Sequence, residues 1–488
     1  MTADGDSAPT TTLADAANLE FTADEMHAMS DAVASRIIDH IARLSEQPAA
    51  GVVATDAFCR GLRESAPETG VSLDPLLADL FDQYVPRSFN TAGPGYFAYI
   101  PAGGLFPAAL ADFISNGVNR FTGIWLAAPA LVQLEANVLD WFRDWMGFPP
   151  STRGLLTTGS SMATFNAIVC ARERHLGADI RHGVVYASSQ AHHCVQKSAR
   201  LAGIQRDRIR SIPVDAEFRM RTGELSSRIA ADRAMGLRPF LVVSSAGTTN
   251  TGAVDPLDAV ADICASDGLW HHVDGAYGGF FHMCEELRPL LAGLSRADSL
   301  ALDPHKGLFL PYGTGALLVR EGAELQRVHA ETADYMPGMP DADAFYDPSQ
   351  HGPDLSRGFP GLRVWLCVKM YGARRLRTAI LEKRTLALEA AERIGRLPGI
   401  AIAAPPQLSL FAFHLARAGA TLADENASTR AMLDRVVARQ RVMVSGCQVD
   451  GRFLIRVCVL SFRTRRDAID RLVDDVRQEA EASSLLAV

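Results

Sequence analysis

The stretch "SLALDPHKGLFLPYGTG", from Ser299 to Gly315, sets one lysine, Lys306, between an apolar run and a glycine-rich one. Lysine is scarce in this chain: only Lys197, Lys306, Lys369 and Lys383 occur, against abundant arginine. Most lysines are solvated surface residues, and Lys197, Lys369 and Lys383, in helical patterns with polar neighbours, read that way. Lys306 does not, because the flanking "LALD" and "LFLPYG" are apolar. An amine in such a place can form a Schiff base, provided a low-dielectric site or neighbouring cations lower its pKa.

Outward from Lys306 the pattern is that of an α/β fold. From about residue 154 short apolar runs ("HGVVYAS", "PFLVVSSAG", "LWHHVDGAY", "SLALD", "GALLVR") alternate with helical stretches, which predicts a mainly parallel sheet with crossover helices. In such sheets ligands sit outside the carboxyl ends of the strands. The chemically suggestive residues fall there: Lys306 after "SLALD", Asp274 after "LWHHV", Thr248 and Thr249 after "FLVVSSAG", and His192 after "HGVVYASS".

Each of these has a plainer reading beside the functional one. "TTGSSMATFNAI" puts Gly159, Ser160 and Ser161 at the mouth of a helix, where free N–H groups favour an anion such as a phosphate monoester. The same residues also suit a simple N-cap. Asp274 is either a turn residue or a carboxylate that holds a protonated pyridine nitrogen, the partner a pyridoxal cofactor requires. His192 can stack on an aromatic ring or move a proton, whereas His193 reads as a helix cap. The pairs His192/His193 and His271/His272 do not converge on one metal ion, since adjacent strand residues point to opposite faces, and no metal site is expected.

The bulk numbers bound the class. A chain of 488 residues exceeds what one core supports, so more than one domain is expected. A net charge of -8 argues against a nucleic-acid binder. The eight cysteines lack CxxC spacing and read as reduced thiols of a cytoplasmic protein. The N-terminus has no export-signal pattern, and no window is apolar enough for a membrane span. A frayed tail over residues 1–20 is followed by a helix of about twenty residues that opens on a capping box, Thr22 with Glu25. Its apolar stripe needs cover, and a partner subunit is a common answer. Further on come a helix over Leu131–Trp145, a long Pro/Gly/Asp-rich loop through "MPGMPDADAFYDPSQHGPDLSRGFPG", a helical stretch over 362–394, a hairpin turned at Asp450 and Gly451, and a last helix over 465–482.

In their order and spacing these motifs resemble the group II pyridoxal-5'-phosphate (PLP) dependent amino-acid decarboxylases, most closely the aromatic-L-amino-acid decarboxylase branch. Lys306 lies 32 residues after Asp274, which lies 82 after His192, and the match extends through "GYFAYIPAGGLFPAALADF" and "VWLCVKMYGARRLR". The resemblance implies fold-type I architecture, with an N-terminal helical segment (21–110) contributing to a homodimer interface, a large PLP-binding domain (111–360) and a small C-terminal α/β domain (361–488). It implies that Lys306 forms the internal aldimine, that His305 lies beside it near the phosphate, that Asp274 pairs with the pyridine nitrogen, and that Ala276 and His192 pack on opposite ring faces. Gly159, Ser160, Ser161 and Thr249 match phosphate and ring contacts. Tyr99, Ile100, Pro101 and Trp125 match substrate-pocket segments.

The implied reaction is decarboxylation of an L-amino acid, through an external aldimine and a quinonoid intermediate, to the amine and CO2. Tyr346 is the candidate proton donor to the carbanion, with Tyr335 as the alternative. Gly307, Met162 and Ala102 depart from the family pattern and leave the substrate open, while Ser356 favours Tyr or Dopa over Trp. Phe345 adjoins Tyr346, so an aromatic aldehyde synthase, in which phenylalanine replaces the tyrosine, is a second reading. A decarboxylase of glutamate, aspartate or diaminobutyrate is a third, and a non-catalytic binding relative a fourth.

Overall fold

The computed structural model describes residues 18–52, 55–331 and 345–485. Most of the tail expected over 1–20, and Tyr335, lie outside the described residues. The chain divides into two compact units, one reaching to Gln47 and resuming over Gly51–Asn90, the other made of Pro48–Ala50 and Thr91 onward. The first holds α1 (Ala23–Ala42), α2 (Asp56–Gly61) and α3 (Leu73–Ala78). Thr22 and Glu25 form the expected capping box at the start of α1, and Arg36 of α1 pairs with Asp82. No residue of α1 is fully buried, and its apolar stripe (Met29, Val33, Ile37 and Ile41) is only partly covered in the single chain.

The second unit opens with α4 (Phe106–Val118), which stops where Asn119 turns left-handed at φ 44°, and α5 (Pro129–Trp145), which has proline in its first turn. Strand and helix then alternate: β1 (Arg153–Thr157), α6 (Ser160–Leu176), β2 (Gly183–Ser188), α7 (Cys194–Leu201), β3 (Ile209–Ile212), α8 (Thr222–Ala234), β4 (Arg238–Ser245), α9 (Leu257–Asp267), β5 (Trp270–Gly275), β6 (Ser299–Leu302), the single turn α10 (Pro304–Gly307), β7 (Gly315–Val319) and α11 (Ala323–His329). The seven strands form one sheet in the order β1-β7-β6-β5-β4-β2-β3, in which only β7 runs against the others. The carboxyl ends of β1, β2, β4, β5 and β6 therefore share one edge. The central strands are buried on both faces, as sheets covered by crossover helices require.

A smaller domain follows, with α12 (Pro360–Gly395), β8 (Ile400–Ala404), β9 (Leu410–Leu415), α13 (Leu422–Ala438), β10 (Ser445–Val449), β11 (Arg452–Cys458) and α14 (Arg466–Leu485). Its four strands form an antiparallel sheet, β10-β11-β9-β8. Asp450 and Gly451, both at positive φ, make the two-residue turn between β10 and β11, as read from the sequence. The stretch expected as one helix over 362–394 is interrupted: Gly372 adopts φ 72° and ψ 149° inside α12, a conformation open to glycine and strained for other residues.

One lysine overturns its sequence reading. Lys383 on α12 is not solvated but fully buried, donating to the Thr464 carbonyl at 2.5 Å and pairing with Glu382 at 3.0 Å. Burial pushes its pKa down to about 8, against the opposing pull of Glu382. The folded value lies below the unfolded one near 10.4, so folding carries a cost for the charged amine at neutral pH that is relieved as pH rises through this window. Relative to Lys383→Met, the wild type should gain on the order of 3 kcal/mol of stability between pH 7 and 10.5. Paired denaturation curves at the two pH values check this, and parallel pH dependence would refute it.

Candidate active site

The edge where the strands end holds a cavity of about 290 Å3. Gly159, Ser160, Ser161, His192, Thr249, Asp274, Ala276, His305 and Lys306 all line it, with Thr158, Met162, Cys194 and Asp303 among their neighbours. Sequence positions far apart meet because each lies at, or within a few residues of, the carboxyl end of a strand. β1 delivers Thr158–Ser161 to the start of α6, β2 delivers His192, β4 delivers Thr249, β5 carries Asp274, and β6 runs into the turn bearing His305 and Lys306.

Glycine is required where these segments touch. A Cβ on Gly315, at the start of β7, would lie 2.5 Å from the backbone of Gly159, and one on Gly307 would lie 2.7 Å from the Cβ of Phe280. The glycine after the lysine, a departure from the family pattern, thus has a packing reason. Thr248, by contrast, is structural: its hydroxyl bonds that of Thr251 and accepts from the Ala253 N–H.

The electrostatics of Lys306 differ from the sequence expectation. Burial acts to lower its pKa, but the Asp303 carboxylate at 2.8 Å outweighs burial, and the amine lies above the ordinary lysine value. Asp303, which the sequence reading passed over, is almost fully buried. Burial acts to raise its own pKa, and Lys306 and His305 bring it below the usual carboxylate range. Its Oδ1 accepts the Ser160 N–H at 2.7 Å, joining the first turn of α6 to the lysine turn. An acid three residues before the lysine was visible in "DPHK", but only the helical turn brings the two side chains together.

Two neutral imidazoles flank the cavity. Burial lowers the pKa of His192, with Asp274 opposing, and lowers that of His305, with Asp303 opposing. His192 Nδ1 accepts the Cys194 N–H at 3.3 Å, so His192, not His193, makes the side-chain bond to the start of α7; the His193 side chain makes no cap bond. Asp274 accepts the Ala276 N–H at 3.1 Å with one oxygen, so it also serves its turn. His271 and His272 stay inside the sheet, bonded to Ser244 and Ser299 and held neutral by burial, with pKa values of about 3.

Several expected residues do not reach this cavity within one chain. Tyr99, Ile100 and Pro101 ride on a segment stitched to the small domain, where Tyr99 N–H donates to Ser445 Oγ at 3.1 Å and Arg463 donates to the Gly103 carbonyl at 2.6 Å. Arg456 on β11, a buried cation in an apolar strand that the sequence reading also missed, links the same Ser445 to the Thr249 carbonyl. Trp125 stacks on Phe345, with ring centroids 4.4 Å apart, and Ser356 is exposed. Tyr346 lines a separate cavity of about 360 Å3 with Arg153 and His351. Its phenol oxygen is sealed beside the Arg357–Glu135 ion pair, and burial, reinforced by Glu135, raises its pKa.

A half-buried lysine, a strand-end carboxylate and a neutral histidine around a cavity that abuts a helix N-terminus define a fold-type I PLP enzyme. The fit to the cofactor is specific: Ser160 Oγ is buried at the helix mouth with no hydrogen-bond partner, available to a phosphate oxygen. The family model described as "Pyridoxal-dependent decarboxylase conserved domain" matches residues 57–416. The chain belongs to this family of PLP-dependent decarboxylases. It is 31% identical to the aromatic-L-amino-acid decarboxylase of Bacillus atrophaeus over 96% of this chain and 98% of that one. It also resembles the crystal structure of Oryza sativa TDC with PLP and tryptamine (TM-score 0.90, 27% identity, 95% of this chain and 99% of that one). Rhodiola rosea 4-hydroxyphenylacetaldehyde synthase is similar as well (TM-score 0.88, 26% identity, 95% and 99%).

Proposed function

We propose that this enzyme decarboxylates an aromatic L-amino acid to its amine and CO2, with Lys306, Asp274 and His192 as the residues that hold and orient the cofactor. The observation that carries this reading is their convergence on one cavity at the strand ends. PLP, when bound, supplies the electron sink for the pair left on Cα as CO2 departs. Asp274 keeps a proton on the ring nitrogen, neutral His192 offers a flat face, and α6 offers Ser160 and its N–H groups to phosphate. The aromatic substrate class rests on the names of the relatives. Incubating PLP-loaded protein with aromatic, acidic and basic L-amino acids and identifying products by mass spectrometry tests it; an acidic or basic amine would overturn the aromatic class. Aldehyde with peroxide would favour oxidative decarboxylation instead, a reading kept open by the likeness to an aldehyde synthase.

The role of proton donor passes from Tyr346, whose phenol is sealed in another cavity, to Tyr335. Tyr346→Phe should leave amine formation within about twofold of wild type, whereas loss of a positioned proton donor at Tyr335 should cut it by about 10²-fold or more and divert product to aldehyde. The opposite pattern would return the role to Tyr346.

A homodimer completes the proposal. Phe106, Leu110, Phe113, Ile114 and Val118 expose an apolar face of α4 that water does not favour. Light scattering should give twice the 52.6 kDa chain mass, and Phe113→Asp should yield a monomer; a monomeric wild type would refute it. Cytoplasmic residence is part of the same reading, supported by eight unpaired cysteines.

A further inference from the structure

The floor of the cavity is crowded with negative charge. Its lining holds two carboxylates, Asp274 and Asp303, and among the described lining residues Lys306 is the only ordinary cation. That cation is already paired to Asp303 at 2.8 Å. Asp303 also occupies the Ser160 N–H, one of the donors that a phosphate group at the start of α6 would use. A phosphate dianion seated here therefore meets a buried carboxylate and no free arginine or lysine.

His305 is placed to resolve this conflict. Its Nδ1–H donates to the Thr314 carbonyl at 2.7 Å, so an added proton goes to Nε2. Nε2 lies 3.5 Å from Asp303, and the His305 ring would lie 3.6 Å from a Cβ on Gly159, at the phosphate end of the cavity. We propose that Asp303 and His305 make cofactor seating proton-linked: as the phosphate settles on α6, one proton passes from solvent to His305 Nε2, which then bridges two anions. Two anions in one site raise the affinity of that site for a proton. The other groups facing Asp303 or its partners do not substitute. Tyr312 packs on the His305 ring, with centroids 5.8 Å apart, and burial raises its pKa, so its phenol stays neutral. Asp274 faces Lys306 and His192; His192 has Cys194 and His193 as neighbours; and burial holds the Cys194 thiol up at about 12, so it is neutral.

This inference rests on the reading of the α6 N-terminus as the phosphate seat. The test is calorimetric titration of the full-length protein at pH 8 with PLP and with pyridoxal, each in buffers of different ionisation enthalpy. Pyridoxal reports the proton change at Lys306, which both ligands share, and the excess for PLP reports the phosphate. Free phosphate monoesters are almost wholly dianionic at pH 8, so wild type should take up about one extra proton per PLP. Asp303→Asn should lose at least half of that excess, and His305→Gln nearly all. Because wild type alone gives the primary reading, a variant that misfolds does not blunt the test. PLP that binds with no excess uptake would overturn the inference and spare the function, whereas no binding of PLP at all would overturn the functional reading beneath it. Unchanged uptake in Asp303→Asn would remove Asp303 from the account.

Discussion

Lys306→Ala is expected to abolish the visible cofactor band and to lower kcat/KM for amine formation by about 10⁴-fold or more, about 5.5 kcal/mol of barrier. The expectation follows from position. Lys306 is the one amine on the cavity wall, fixed by the turn after β6 and held by Asp303. Lys369 and Lys383 lie on α12, and Lys383 is committed to Thr464. No neighbouring lysine replaces it. Absorbance titration with PLP and trapping by borohydride followed by peptide mapping check the first half, and single-turnover product assays the second. An active Lys306→Ala protein would remove the lysine from the mechanism.

Asp274→Asn is the second large effect. The carboxylate is buried at the end of β5 and has one oxygen on the Ala276 N–H, which leaves the other free for a ring nitrogen. Removing one charge from a buried ion pair costs about 3–5 kcal/mol, so kcat should fall by about 10²–10⁴-fold. Binding of PLP should weaken as well. The backbone is spared, because the Asn side-chain oxygen still accepts from Ala276. A drop of less than tenfold in kcat would mean that Asp274 serves only its turn.

Much of this was legible because the fold writes its site in local signals. Strand runs, the capping box at Thr22 and the Asp450–Gly451 turn are short-range patterns, and each residue proposed to meet the cofactor sits at or just past the carboxyl end of a strand. What escaped depends on long-range packing. The partner of Arg456 is the Thr249 carbonyl, on a different domain's loop, and the burial of Lys383 depends on the start of α14. Polar neighbours in sequence therefore gave the wrong environment for Lys383. The raised pKa of Lys306 likewise needs the turn that sets Asp303 against it, since burial alone has the opposite sign. The surroundings of Tyr346 were not legible either: its ring lies against His351, with centroids 4.9 Å apart, and its phenol lies beside the Arg357–Glu135 pair.

The central claim, that this lysine-centred cavity runs a PLP-dependent decarboxylation of aromatic amino acids, is tested most directly by one product assay. PLP-loaded wild type is given L-Tyr, L-Dopa, L-Phe and L-Trp, and released CO2 and organic product are quantified together by mass spectrometry. The account predicts aromatic amine and CO2 in equal amounts, without peroxide. Turnover of none of these substrates by protein that carries the cofactor band would contradict it.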